Sequence, residues 1–173
     1  MFEFSEIVEI LGTILLLGFI FEQFLQNPYL RRGIWERILI ASLILSPAVV
    51  LHELAHKFVA LHFNCSAVYN MYFPGLAIGV VLKLLRSPIL FFIPAYVSIS
   101  GQLTRNAIFW ISIAGPLTNL LIYLVARVTI HRMEGERAFY TYLVSRVNLY
   151  LFLFNLLPIP YTDGYQALST FVR

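Results

Sequence analysis

Val50-Leu51-His52-Glu53-Leu54-Ala55-His56-Lys57 is the stretch on which the reading of the whole chain turns. His52 and His56 are four residues apart, so on a helix both imidazoles project from one face, about one turn from each other. Glu53 stands beside them. In this H-E-x-x-H arrangement two neutral histidines hold Zn2+ and the glutamate serves as general base. The residues ahead of it, Ile38–Leu51, carry no charge. The motif is therefore reached along an apolar helix long enough to enter a bilayer. Three ionisable groups on such a helix cost about 2–3 kcal/mol each when unpaired, which favours coordination over simple capping of an interfacial helix end.

Composition agrees with that setting. The chain has 173 residues, of which 60% are hydrophobic and 12% charged, and a mean hydropathy of +0.80. Soluble domains hold about 45–50% apolar and about 25% charged residues, so composition alone marks an integral membrane protein. The length fits one membrane domain, residues 1–173. The net charge of +3 comes from scattered arginines. No basic run is dense enough for a nucleic-acid surface, and the bilayer is the expected partner. The one cysteine, Cys65, excludes an internal disulfide and a zinc–thiolate cluster. Glu3, Glu6 and Glu9 occupy the place where a cleavable signal would carry basic residues.

Hydropathy and helix breakers divide the chain into an all-α, multi-pass architecture of about four transmembrane helices. The first runs from Ile7 to Leu25, with Glu9 and Glu22 at its ends and Asn27-Pro28 stopping it. The second runs from Trp35 to His62, its spanning part from residue 38, with Pro47 as a kink ahead of the metal motif. Asn64–Ser100 is apolar but broken by Pro74, Gly75, Gly79, Pro88 and Pro94. Val68–Phe73 and Ile93–Ser98 read as short strands, and Leu76–Leu85 and Ser87–Phe92 between them as a re-entrant hairpin. The third span is residues 106–126. Arg127–Arg146 reads as a polar connection, and the fourth span as residues 147–163.

A catalytic zinc takes three protein ligands and leaves one position open. Asp163, the chain's only aspartate, follows sixteen uncharged residues that include Pro158 and Pro160. An ionisable group so placed pairs or coordinates, and the prolines would unwind the chain so that its carboxylate could turn inwards. His62 and His131 lie in or beside polar loops and are weaker candidates. Gly115-Pro116 reads as a packing and kink feature. Asn119 is either an interhelical hydrogen-bonding residue or a substrate-binding one. Lys57 is expected at the interface.

Three motifs, His52-Glu53-Leu54-Ala55-His56, Ala114-Gly115-Pro116-Leu117-Thr118-Asn119, and Asn155-Leu156-Leu157-Pro158 followed by Asp163-Gly164, resemble in order those of the site-2 protease family of intramembrane zinc metalloproteases. The resemblance covers residues 38 to 166. It implies a three-helix core in which His52, His56 and Asp163 hold one zinc, Glu53 activates water, and Asn155 stabilises the oxyanion or holds the substrate strand. It also implies that residues 64–100 are a membrane-associated sheet and re-entrant region beside which an unwound substrate segment lies. Many members read D-G-G-R where Tyr165 and Gln166 follow Gly164 here. The connection between Arg127 and Arg146 has no room for a PDZ domain and no CBS domain follows, so the short form of the family is expected.

The function so implied is hydrolysis of peptide bonds within transmembrane segments of membrane proteins, in a multi-pass protein of the cell membrane. Two rivals keep the same residues: a metal transporter, which needs ligands on both sides of the midplane where only one cluster is present, and a catalytically silent binding module, which the complete ligand-and-base set disfavours. The arginines of residues 26–37 and 127–146 would lie in the cytoplasm by the positive-inside rule, whereas the resemblance implies the opposite orientation.

Overall fold

The computed structural model describes residues 2–25, 32–88 and 92–172. In chain order they form α1 (Phe4–Phe21) with a 3₁₀ turn at Glu22–Leu25, α2 (Ile34–His62), β1 (Ser66–Met71), α3 (Phe73–Leu84), β2 (Ala95–Ser100), α4 (Arg105–Thr129) with a 3₁₀ turn at Ile130–Arg132, α5 (Gly135–Asn155) and α6 (Asp163–Val172). β1 and β2 pair as a two-stranded sheet, each two residues from the predicted strands. The predicted stop at Asn27-Pro28, and residues 89–91 of the expected hairpin, lie outside the described residues. The first limb of that hairpin is the helix α3.

Three helical stretches among the described residues are long and apolar enough to cross a membrane: Phe4–Leu25, Ile34–His62 and Arg105–Arg132. The expected fourth span at 147–163 is not among them. Helix α5 starts twelve residues earlier, inside the predicted polar connection, and carries Glu136, Arg137 and Arg146. It stops at Asn155 because Pro158 disfavours helical backbone at Leu157 and Pro160 removes a further donor. Asp163 then opens a helix of its own.

Packing resolves into two compact units, Met1–Val50 with Tyr69–Tyr96, and Leu51–Val68 with Val97–Arg173. In the first, α1 meets the front half of α2 closely at Gly18, where a Cβ would stand 2.6 Å from the Ile38 carbonyl oxygen. This is the small-residue contact that membrane helices favour. Charge is buried in pairs there: the Arg37 Nε donates to Glu22 at 2.8 Å, and the Lys83 ammonium lies 3.3 Å from the same carboxylate. Two other glutamates of α1 accept from the β1 backbone, Glu6 from Tyr69 N–H at 2.7 Å and Glu9 from Met71 N–H at 2.6 Å.

The second unit is built on α4, which packs against both α5 and α6. Ala60, Cys65, Ala67, Ala107 and Ile111 form its buried apolar core. Lys57, expected at the interface, is instead fully buried and donates to the Ala67 carbonyl at 2.9 Å. An ammonium can be taken out of water when a fixed acceptor meets it.

Candidate metal centre

Every group of the centre belongs to the second unit. The back half of α2 presents His52 and His56 from one buried face, four residues and one turn apart, with the rings edge to face at 4.7 Å. His56 Nδ1 lies 2.6 Å from the Ile111 carbonyl oxygen. A carbonyl only accepts, so Nδ1 carries the proton and Nε2 is left with its lone pair for a metal. The two Nε2 atoms stand 3.0 Å apart.

Asp163, more than a hundred residues later, completes the triangle. Its Oδ2 is 3.1 Å from His52 Nε2 and 3.4 Å from His56 Nε2. Ligands about 2.0–2.2 Å from a tetrahedral zinc stand roughly 3.3 Å from one another, so the triangle has the size such an ion requires. The helix opposite leaves the room. A Cβ on Gly115 of α4 would stand 2.4 Å from His56 Nε2 and 2.5 Å from His52 Nε2, so only glycine keeps that space clear of side chain. Two imidazole nitrogens, one carboxylate oxygen and a cradle beside them fit a catalytic zinc.

Local sequence explains how Asp163 reaches this place. Thr162 caps α6, its hydroxyl accepting from Tyr165 N–H at 3.3 Å while donating towards the Leu157 and Ile159 carbonyls. That bonding holds the turn in which Tyr161 takes a left-handed φ of 76°. Gly164 lies against the preceding segment, where a Cβ would be 2.3 Å from the Leu156 carbonyl oxygen, so the glycine after the ligand is a packing necessity. In the metal-free protein burial alone would raise the Asp163 carboxyl; the His52 and His56 imidazoles that face it outweigh this and hold the group at about 2. Asp163 is therefore ionised, the form a metal binds.

Of the residues singled out from sequence, His52, His56 and Asp163 come together. Glu53 is half-buried on the same turn of α2, next to His52. Asn155 is the last residue of α5, half-buried and adjacent in sequence to the Leu156 that Gly164 touches. Asn119 is fully buried one turn beyond Gly115 on α4 and has no hydrogen-bond partner among the described residues, so of its two readings the interhelical bond is not made among them. His62 and His131 are exposed and do not belong to the group that could hold a metal. Sequence reasoning missed Gly115 as part of the centre and Thr162 altogether. The signal for Gly115 was a glycine inside a spanning helix, where it weakens the helix unless a close contact needs it.

No protein-family model and no solved structure matches the chain. Two curated relatives do. "Putative zinc metalloprotease MJ0611" of Methanocaldococcus jannaschii is 31% identical over 174 residues, spanning 97% of this chain and 86% of the relative. "Putative zinc metalloprotease YwhC" of Bacillus subtilis is 30% identical over 154 residues, spanning 78% of this chain and 68% of the relative. The metal in both names is the one the triangle fits, and zinc is the cofactor of this centre.

Proposed function

Because the chain belongs to the zinc metalloprotease family of these two relatives, we propose that it is an intramembrane endopeptidase of the site-2 protease type. It would cleave peptide bonds within transmembrane segments of other membrane proteins, from a multi-pass position in the cell membrane. One observation carries the reading: His52, Glu53 and His56 lie on a 29-residue apolar helix long enough to cross a bilayer, with Asp163 brought to them. A soluble protease has no use for that setting.

In this reading His52, His56 and Asp163 hold the ion. Zinc, when bound, supplies a Lewis acid that lowers the pKa of water towards about 7. Glu53 takes a proton from the attacking water and passes it to the leaving amine. The Asn155 carboxamide donates to the substrate carbonyl oxygen as charge develops on it, or holds the substrate strand in place. A helical substrate has its carbonyls hydrogen-bonded, so it must be locally unwound before attack. Cleavage near Gly, Pro or Asn in single-span proteins follows.

The experiment is incubation of the purified protein with single-span membrane substrates, with and without a zinc chelator. Cleavage that the chelator stops and zinc restores is expected. Glu53→Gln should retain one zinc per chain and lose about 10²- to 10⁴-fold in rate. Glu53→Gln cleaving at the wild-type rate would remove Glu53 from its role. Zinc crossing proteoliposomes equally well in wild type and Glu53→Gln, without any cleavage, would replace the protease by a transporter.

A further inference from the structure

Helices α4 and α5 are consecutive legs of a hairpin. Asn119 lies thirteen residues before Arg132, where the α4 leg ends, and Asn148 thirteen residues after Gly135, where the α5 leg begins. With a helical rise of about 1.5 Å per residue, the two asparagines stand at about the same height. Both are completely buried, at 0% exposure. Neither the nitrogen nor the oxygen of the Asn119 carboxamide has a hydrogen-bond partner among the described residues, and neither does Oδ1 of Asn148. Asn148 Nδ2 donates back to the Val144 carbonyl of its own helix at 2.8 Å.

A second group unpaired among the described residues lies two turns earlier on α4. The Ser112 hydroxyl is buried and likewise without a partner. Pro116 has no N–H, so the Ser112 carbonyl also lacks its usual helical donor. Between Ser112 and Asn119, at helical spacings of three and four, is Gly115, the residue against which both metal-binding nitrogens rest. Buried polar groups are nearly always paired, and where no protein group serves, ordered water does. A buried water needs two to four polar partners. The Asn119 donor and acceptor and the Asn148 acceptor provide them at one height.

We propose that Asn119 and Asn148 hold buried water one helical turn from the metal centre, and that hydrolysis draws on this store. Each peptide bond cleaved consumes one water, its hydroxyl going to the carbonyl carbon and its other proton to the leaving amine. The supply role rests on the proteolytic reading; the water site does not. In place of the substrate contact expected for Asn119, the buried carboxamide serves the water.

The test is a structure of the zinc-loaded protein at a resolution that shows ordered water, for wild type and Asn119→Leu. Wild type should show water within hydrogen-bond distance of the Asn119 carboxamide and Asn148 Oδ1. Asn119→Leu should lose it, keep one zinc per chain, unfold at no lower temperature, and hydrolyse peptide about 10-fold more slowly at saturation with KM unchanged. A dry site, or an Asn119 carboxamide bonded directly to protein, would overturn the proposal. A raised KM with unchanged kcat would return Asn119 to substrate binding and overturn it too. Should Asn119→Leu not fold, Asn148→Leu is read for the same density and the same rate. Absence of any cleavage by wild type would defeat the proteolytic reading while the density still decides the water site.

Discussion

Replacing Gly115 by alanine tests the metal centre where its geometry is tightest. The added methyl carbon would stand 2.4 Å from His56 Nε2, 2.5 Å from His52 Nε2 and 2.6 Å from His52 Cε1. Non-bonded contacts this short do not persist, so each imidazole must retreat by at least about half an ångström in a close-packed interior. Zinc ligation holds its distances to about 0.2 Å. Disturbing groups that merely orient ligands weakens metal binding about 10- to 100-fold. Displacing two ligands themselves should reach at least the upper figure, or about 2.8 kcal/mol. The helix should not suffer, because alanine is favoured over glycine in a helix interior by about 1 kcal/mol. Competition with a chromophoric chelator gives the affinity, elemental analysis the zinc per chain, and circular dichroism the helix content. Gly33→Ala, with nothing within 4 Å of its added Cβ, is the control and should bind as wild type does. A Gly115→Ala protein that holds one zinc with wild-type affinity would refute the assignment of this triangle as the metal site.

Thr162→Val removes the α6 cap and the hydroxyl that holds the 157–159 carbonyls. It should weaken zinc binding about 10-fold by loosening Asp163, and an unchanged affinity in the chelator competition would show that the turn holds itself. In the metal-free protein the Asp163 carboxyl sits at about 2 against an ordinary value of 3.8. A depressed carboxylate contributes stability that is complete above the unfolded value and is lost as pH falls through the folded one. The infrared band of its protonated form should therefore be absent above about pH 4; a band growing between pH 4 and 7 that Asp163→Asn removes would contradict the ion pair. Lys57→Met leaves the buried Ala67 carbonyl without its ammonium donor. It should cost about 1–3 kcal/mol, read as a fall in unfolding temperature with zinc content unchanged, and an unaltered midpoint would make that bond incidental.

Much of the fold was legible because it follows from solvent. Long apolar runs with few charges locate α1, α2 and α4. β-branched and aromatic runs locate β1 and β2. What hydropathy could not deliver was α5. Its first twelve residues carry Glu136, Arg137 and Arg146 and look like a loop by composition, yet charged residues are ordinary helix formers and the turn before it needs only Met133-Glu134. Taking polarity for loop moved the start of the helix twelve residues late, whereas the break expected at Pro158 and Pro160 does separate α5 from α6. The buried charges misled in the other direction. Glu22 and Lys57 were placed at interfaces, whereas Arg37 and Lys83 in one case and the Ala67 carbonyl in the other satisfy them inside.

The centre was legible for a narrower reason. A ligand is an ionisable group in a place where ionisable groups are disfavoured, so His52, His56 and Asp163 stand out against the apolar sequence around them. The residues that make the ligands converge do not stand out. Gly115 contributes the absence of a side chain, and Gly164 lets α6 start against the Leu156 carbonyl. Thr162 spends a common hydroxyl on three backbone groups. None of these is chemically conspicuous, because each acts on backbone or on empty space. The same reasoning explains why Gly115 carried only a packing reading. It is a packing residue, and what it packs against is the pair of nitrogens placed to hold a metal. Whether a glycine is structural or functional depends on what a methyl group there would displace, which one dimension of sequence does not contain.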